Sequence, residues 1–81
     1  MAKLPIIAGR IIIAVLERLG FRVVRQRGSH VVLRRVGRST DICVVPMHRE
    51  VAAGTLRSVL RQANLTPDEF LAALTHKAGK I

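Results

Sequence analysis

The sequence predicts an α+β fold with one helix, a three-stranded antiparallel sheet and one or two C-terminal helices. Apolar residues recur at helical spacing between residues 10 and 19. Three short runs rich in β-branched residues follow, separated by glycine-containing turns, and helical spacing returns after residue 55. Since 81 residues suit one small domain, we expect a single domain over residues 1–81. Its ordered core should cover about 4–75, and the tail at 76–81 should fray.

The first helix is predicted over residues 10–19, with Gly9 as its N-cap, although glycine caps a helix less well than serine or aspartate. Its apolar stripe consists of Ile12, Val15, Leu16 and Leu19. Gly20 then fits the left-handed residue that follows many helix ends. The next residue, Phe21, is predicted to fold back onto Leu16.

Three strands are predicted next, and their short linkers favour antiparallel hairpins. The predicted strands are residues 21–27, 30–36 and 40–46. Pro46 ends the third strand, because proline has no N–H for a ladder. On the middle strand, Val31 and Leu33 share one face. His30 and Arg34 share the opposite face, and they face solvent if the helices cover the Val31 side.

Two C-terminal helices complete the predicted order. The apolar stripe of the first consists of Leu56, Val59, Leu60 and Ala63. Asn64 follows as a left-handed cap, a conformation that asparagine tolerates better than most residues. The second helix opens with a capping box, in which Thr66 caps, Pro67 takes the first helical position and Glu69 bonds back to the cap.

Charge is the strongest global feature of the composition. Fourteen Lys plus Arg face five Asp plus Glu, giving a formal net charge of +9, and eleven of the fourteen cations are arginine. Arginine binds two phosphate oxygens at once through its planar guanidinium. The composition therefore favours a polyanionic partner: nucleic acid first, an acidic protein second and an anionic membrane surface third.

The cysteine and histidine content and the length of the apolar runs exclude several classes of protein. The single cysteine, Cys43, excludes an internal disulfide and suits a reducing cytosol, so a cytoplasmic location is predicted. Because Cys43 lies in an apolar strand, we interpret it as a buried small side chain rather than a nucleophile. The longest apolar runs, such as residues 11–16, are too short to span a bilayer, so we expect no insertion into a membrane. Five acids and three histidines show no metal-ligand spacing, so neither a metal nor another cofactor is expected.

The segment RQRGSHVVLRR, residues 25–35, contains the strongest candidate site. His30 begins the central strand directly after the tight turn at Gly28 and Ser29, where glycine lets a ligand approach the backbone. Several arginines on the same two strands are expected to border the histidine. The candidates are Arg22, Arg25, Arg27, Arg34 and Arg35.

Imidazole titrates close to neutrality, so His30 is a candidate general acid and base. We expect neighbouring guanidinium groups to disfavour a further positive charge on His30, which suits a general base. In RNA, a base that removes the 2′-hydroxyl proton lets that oxygen attack the adjacent phosphorus, while arginines stabilise the developing negative charge. A histidine at a strand start is more often a structural residue, so the residues alone leave catalysis and anion binding open.

His48 lies in the loop after the third strand and is the candidate for a second proton-transfer group. The alternative, which we favour, is a loop residue that bonds to the backbone and fixes the start of the second helix.

Four motifs, taken in order, resemble the HicA toxins of bacterial and archaeal toxin–antitoxin modules. They are GF at 20–21, RGSH at 27–30, VPMH at 45–48 and GTLRSVLRQA at 54–63. The resemblance runs over roughly residues 4–74, and the combination of these motifs is specific.

The resemblance implies a double-stranded-RNA-binding-like fold and a small ribonuclease that cleaves mRNA without the ribosome. It also implies that His30 is the catalytic histidine and that a HicB antitoxin is the partner, covering the active site. The predicted RNA contacts are Gly28, Ser29, Arg25, Arg27, Arg34 and Arg49.

Two positions depart from the family pattern. Asn64 stands where the family usually has glycine, and both residues tolerate the left-handed cap. Arg49 stands where a lysine is common, which keeps the charge but changes its geometry.

Three hypotheses for the function follow: a metal-independent endoribonuclease with His30 as the proton shuttle, a non-catalytic RNA-binding module, and a basic protein that docks an acidic partner.

Overall fold

A computed structural model of the chain describes residues 3–75, apart from the side chains of Arg38 and Ser39. Its elements are α1 (Gly9–Arg18), β1 (Phe21–Arg27), β2 (His30–Arg35), β3 (Arg38–Pro46), α2 (Ala53–Gln62) and α3 (Pro67–Thr75). The strands form one antiparallel sheet in the order β1-β2-β3. The predicted α+β class is confirmed. The predicted fraying of the tail concerns residues 76–81, which lie outside the described residues.

Helices α1 and α2 pack on one face of the sheet, and α3 packs against these two helices. Val31 and Leu33 of β2 pair with Val45 and Cys43 of β3, and all four side chains are buried. The same core contains Ile12, Leu16, Leu56, Leu60 and Phe70 from the three helices. Burying one such side chain contributes about 1.5–3 kcal/mol to folding. His30 lies on the opposite, helix-free face and is exposed, as the two-residue alternation predicts.

Gly9 has a different role from the predicted one. Helix α1 begins at Gly9, so Ala8 is the N-cap, and the prediction that Gly9 caps the helix was wrong. A Cβ on Gly9 would collide with the carbonyl oxygen of Pro46. This close approach brings the start of α1 against the end of β3, where the Gly9 N–H donates to the His48 carbonyl at 2.9 Å.

The ends of the first two helices follow the predicted left-handed pattern. Gly20 has φ +98° after α1, and Asn64 has φ +58° after α2. After α2, the Leu65 N–H donates to the Leu60 carbonyl at 2.9 Å, and the Asn64 N–H donates to the Arg61 carbonyl at 3.2 Å. These two bonds form a Schellman motif.

The capping box at α3 is confirmed. The Thr66 N–H donates to Oε1 of Glu69 at 2.8 Å, and the Glu69 N–H donates to Oγ1 of Thr66 at 3.1 Å. Pro67 occupies the first helical position, where its missing N–H costs no hydrogen bond.

A buried carboxylate that the sequence analysis did not identify ties the sheet to the end of α2. Asp41 on β3 is 1% exposed. Its Oδ2 lies 3.3 Å from Nε of Arg35, and its Oδ1 accepts a 2.7 Å hydrogen bond from Nδ2 of Asn64. The Arg35 guanidinium also lies over the Phe21 ring, 4.9 Å from the centroid, and donates to the Ala63 carbonyl at 3.3 Å. Arg35 is therefore partly buried, and its guanidinium bonds to groups of the sheet and of α2's C-terminal end.

We expect Asn64→Ala to destabilise the protein more than Asn64→Gly. Both variants lose the bond to Asp41, and a hydrogen bond to a charged group contributes about 1.5–3 kcal/mol. Glycine keeps the left-handed backbone without steric cost, whereas alanine adds roughly 1–2 kcal/mol of strain. Urea unfolding followed by circular dichroism measures the two differences. A glycine variant at least as stable as the original chain would contradict a stabilising Asn64–Asp41 bond.

Candidate functional site

The candidate site begins at the two-residue turn between β1 and β2. Arg27 pairs directly with His30 across this turn. Gly28 has φ +58°, and a Cβ there would meet nothing within 4 Å. Glycine is therefore favoured by the left-handed backbone conformation of the turn, and the space above it is open. The Met47 N–H donates to the Ser29 carbonyl at 2.6 Å, which fixes the turn against the chain that leaves β3.

His30 lies on the central strand, at the end of the sheet where the β1–β2 turn is. It lies between Arg27 of β1 and Pro46 of β3 in the strand register. His30 is exposed, as is every residue from Arg22 to Ser29. The imidazole is therefore accessible to a large ligand that approaches from the helix-free face.

A β-bulge in β1 gathers the arginines onto the face that carries His30. The register runs from Arg22 opposite Arg34 to Arg25 opposite Val32, with a shift between Val23 and Arg25. Simple alternation would place Arg22 and Arg25 on opposite faces, because they are three residues apart. The bulge inserts one extra residue and restores both to the same face. The sequence alone carries no clear signal for this shift.

The five candidate arginines therefore separate into two groups. Arg22, Arg25, Arg27 and Arg34 share the His30 face by register. Arg35 lies on the opposite face, where it contacts Asp41. The expectation that several arginines border the histidine is consistent with this register, and Arg35 is the exception because its partner is in the core.

The helix-free face is apolar as well as basic. An open cleft of about 330 Å³ is lined by Val24, Arg25, Val32, Arg34 and Ile42. Val24 is 46% exposed and Ile42 is 45% exposed, while Val44 next to them is 37% exposed. The arginines lie on β1 and β2, and the apolar residues continue onto β3. This face therefore offers both cationic and apolar contacts to a partner.

His48 and Arg49 lie in a separate cavity beside the start of α1. This open cavity, of about 420 Å³, is lined by Ala8, Arg10, Met47, His48 and Arg49. The His48 carbonyl does bond to the backbone, but its donor is Gly9 of α1. This backbone contact fixes the loop against α1, and the role of His48 at the start of α2 stays a prediction.

The described residues contain no group of three or more His, Cys, Asp or Glu side chains that could hold a metal ion. Within residues 3–75, no helix is both long enough and apolar enough to cross a membrane. Cys43 is buried, and burial raises the pKa of its thiol from the ordinary 9.0 to about 11. Because the thiolate is the reactive form, this geometry does not provide a nucleophile at neutral pH.

The raised Cys43 pKa predicts a loss of stability at alkaline pH. The unfolded thiol ionises near pH 9.0, whereas the folded thiol stays protonated up to about pH 11. The unfolded state therefore binds fewer protons in this window, and the free energy of unfolding falls as pH rises through it, by on the order of 2 kcal/mol. Urea unfolding between pH 8 and pH 10.5 measures the slope. The Cys43→Ala variant should be less stable overall but should show a smaller decline, and an equal decline would contradict the assignment.

A comparison with family models supports the resemblance found in the sequence. The model described as "HicA toxin of bacterial toxin-antitoxin" matches residues 9–65, which run from the start of α1 through the Schellman motif after α2. A comparison with curated proteins found no match. The matched segment contains the whole sheet, the turn before His30 and the His48 loop. The chain therefore belongs to the HicA family, as the toxin of a toxin–antitoxin system that has an antitoxin as its partner.

Proposed function

We propose that this toxin is a metal-independent endoribonuclease that cleaves mRNA, with His30 as its proton-transfer group. The observation that carries the proposal is an exposed imidazole at the start of the central strand, on a sheet face that also carries four arginines. A proton-transfer group beside fixed cations suits a reaction at an anionic phosphodiester.

In the proposed reaction, the neutral imidazole of His30 removes the proton from a ribose 2′-hydroxyl. The 2′ oxygen attacks the adjacent phosphorus, and the bond from phosphorus to the 5′ oxygen of the next nucleotide breaks. The imidazolium then returns its proton to that 5′ oxygen. The products are one end with a 2′,3′-cyclic phosphate and one end with a 5′-hydroxyl.

The arginines of the same face would stabilise the phosphorane-like transition state. Arg27 is the first candidate, because it pairs directly with His30. Arg25 and Arg34 are the next candidates, because they lie further along the two strands on the same face. Gly28 and Ser29 contribute an open turn through which the RNA backbone can approach.

RNA binding by this face should depend on charge and shape. The chain has two phenylalanines and no tyrosine or tryptophan. Phe21 is 3% exposed and Phe70 is 0% exposed, so neither offers a platform on which a base could stack. Affinity for RNA should therefore fall steeply as salt rises, as counterion release predicts.

We infer that a HicB-like antitoxin restrains the toxin by covering the same face. Val24, Ile42 and Val44 are exposed apolar residues beside the arginines. A partner with acidic and apolar groups would match both features. A complex of toxin and antitoxin in which RNA is still cut at the free-toxin rate would contradict this placement.

Incubation of the purified chain with a defined RNA in EDTA tests the proposal. We expect cleavage, with a 2′,3′-cyclic phosphate and a 5′-hydroxyl identified by mass spectrometry. Replacing the ribose at the cut site by 2′-deoxyribose should prevent cleavage there, because the attacking oxygen is missing. RNA that binds but stays intact would favour the non-catalytic RNA-binding module. RNA that neither binds nor is cut would favour the partner-docking protein.

A further inference from the structure

A second cationic cavity lies next to the His30 site and is not part of it. It is the cavity of about 420 Å³ between the start of α1 and the chain that leaves β3. Arg10, His48 and Arg49 line it, together with Ala8 and Met47. His30 and the β1–β2 turn do not contribute to its lining. Arg10 has no role in the reaction proposed above, and it comes from a different element.

The backbone around this cavity is held by contacts from both sides. The Met47 N–H bonds to Ser29, and the His48 carbonyl accepts the Gly9 N–H. The Val51 N–H donates to the Ile7 carbonyl at 2.8 Å. These bonds attach the segment between β3 and α2 to the turn before His30 and to the chain that enters α1. The three cavity side chains therefore project from a backbone that needs little ordering when a ligand binds.

The lining suits an anion of phosphate size. Two guanidinium groups and one imidazole supply N–H donors, and no carboxylate lines the cavity. The side chains of Arg10, His48 and Arg49 are exposed, so they can turn toward a ligand. The first turn of α1 contains no acidic residue, and the Ala8 cap has no side chain that competes for its N–H groups. Ala8 and Met47 supply the apolar part of the lining beside these donors.

The cavity is also positioned for a second phosphate of the same strand. Pro46 pairs with His30, and the cavity begins one residue later, at Met47. The bond from the Met47 N–H to the Ser29 carbonyl joins the turn before His30 to the lining of this cavity, which makes the cavity an adjoining cationic surface for an RNA bound at His30. We propose that Arg10, His48 and Arg49 form a subsite for a neighbouring, non-scissile phosphate of the RNA. This inference rests on the proposed function, and it gives His48 a role in substrate binding in place of proton transfer.

The test compares two substrates with the same scissile step. One is a dinucleotide with a single phosphodiester, and the other is a longer oligonucleotide with phosphates on both sides. We expect Arg10→Gln to lower kcat/KM on the oligonucleotide roughly tenfold, mainly through KM, because it removes one charge-assisted phosphate contact. The dinucleotide should be cleaved equally by both proteins. Equal losses on both substrates, or no loss on either, would overturn the subsite.

A binding measurement separates this inference from the proposed reaction. A 2′-O-methyl oligonucleotide cannot supply the attacking hydroxyl, so its affinity is measurable whether or not the chain cleaves RNA. For Arg10→Gln, the slope of log affinity against log salt should become shallower by about 0.7, the value for one contact to a single strand. An unchanged slope would contradict the subsite even if the chain is a ribonuclease. A shallower slope without any cleavage would retain the subsite and remove the reaction.

Arg57→Gln is the matched control for lost charge. Arg57 is an exposed arginine of α2, and it lines a different cavity, formed with residues of α2 and α3 such as Leu60 and Pro67. The Arg57→Gln substitution removes the same single charge away from the proposed subsite. Its effect on kcat/KM should therefore be small with both substrates. A tenfold loss for Arg57→Gln on the oligonucleotide would mean that net charge, and not the cavity, accounts for the Arg10 result.

Discussion

The His30→Ala variant should fold normally and lose RNA cleavage by at least about a hundredfold, since general acid–base groups contribute typically 10²–10⁴-fold to a rate. The imidazole is exposed on the helix-free face, so its removal leaves no cavity in the core. We expect a change in the free energy of unfolding within about 0.5 kcal/mol, the usual range for surface substitutions. Single-turnover cleavage of a defined RNA in EDTA, with urea unfolding of the same samples, measures both quantities.

Gln26→Ala is the matched control for the hairpin itself. Gln26 pairs with Val31, so its side chain lies on the opposite face of the sheet from His30. Its Nε2 donates to the Gly28 carbonyl at 3.2 Å. This variant disturbs the same turn without removing the imidazole, and its cleavage rate should stay within a few-fold of the original. Equal cleavage by His30→Ala and the unmodified chain would remove His30 from the mechanism. A similar loss in Gln26→Ala would mean that turn geometry alone explains the result.

Gly9→Ala should destabilise the protein strongly, because among the glycines of the described residues only Gly9 has backbone atoms in the way of an added methyl. The added Cβ would overlap the Pro46 carbonyl oxygen, and backbone atoms on both sides leave no rotamer change to relieve the contact. Overpacking of this kind typically costs about 1–3 kcal/mol and sometimes more. The shift should also lengthen the bond from Gly9 to the His48 carbonyl and so disturb the cavity at Arg10. Thermal and urea unfolding measure the stability loss.

Gly54→Ala provides the opposite expectation in a neighbouring helix. Gly54 lies in α2, and a Cβ there would meet nothing within 4 Å. Replacing a helical glycine by alanine without steric conflict should stabilise the protein by about 0.4–1 kcal/mol. Gly9→Ala should therefore lower the free energy of unfolding, and Gly54→Ala should raise it. A Gly9→Ala protein as stable as Gly54→Ala would contradict the close approach of α1 to the end of β3.

Features set by neighbouring residues in the chain were predictable from the sequence. The capping box from Thr66 to Glu69 and the left-handed ends at Gly20 and Asn64 each depend on a few adjacent residues. The start of β2 at His30 follows from the glycine turn before it. The predicted start of the third strand was wrong by two residues, because β3 begins at Arg38. The fold class followed from the order of these local signals.

Features set by contacts between distant segments were not predictable in the same way. From the sequence alone Gly9 fits a helix cap, and its close approach to Pro46 arises only after α1 docks on the sheet. The bulge near Val24 depends on pairing with β2, so the shared face of Arg22 and Arg25 was not derivable from alternation. The burial of Asp41 was predictable from the sequence, because in the two-residue alternation of β3 it lies on the same face as the apolar core residues that follow it. A charged residue on that face indicates a buried ion pair.

The helix-free face has a consequence for how resistance to the toxin would arise. Because α1 and α2 cover the other side of the sheet and α3 packs on these helices, side chains such as His30 and Arg27 can be replaced without touching the packed interior. In a selection for cells that survive expression of the chain, survivors should therefore fall into two genetic classes. One class accumulates intact, harmless protein with changes on the open surface, and the other loses the polypeptide to intracellular proteolysis after changes in the interior.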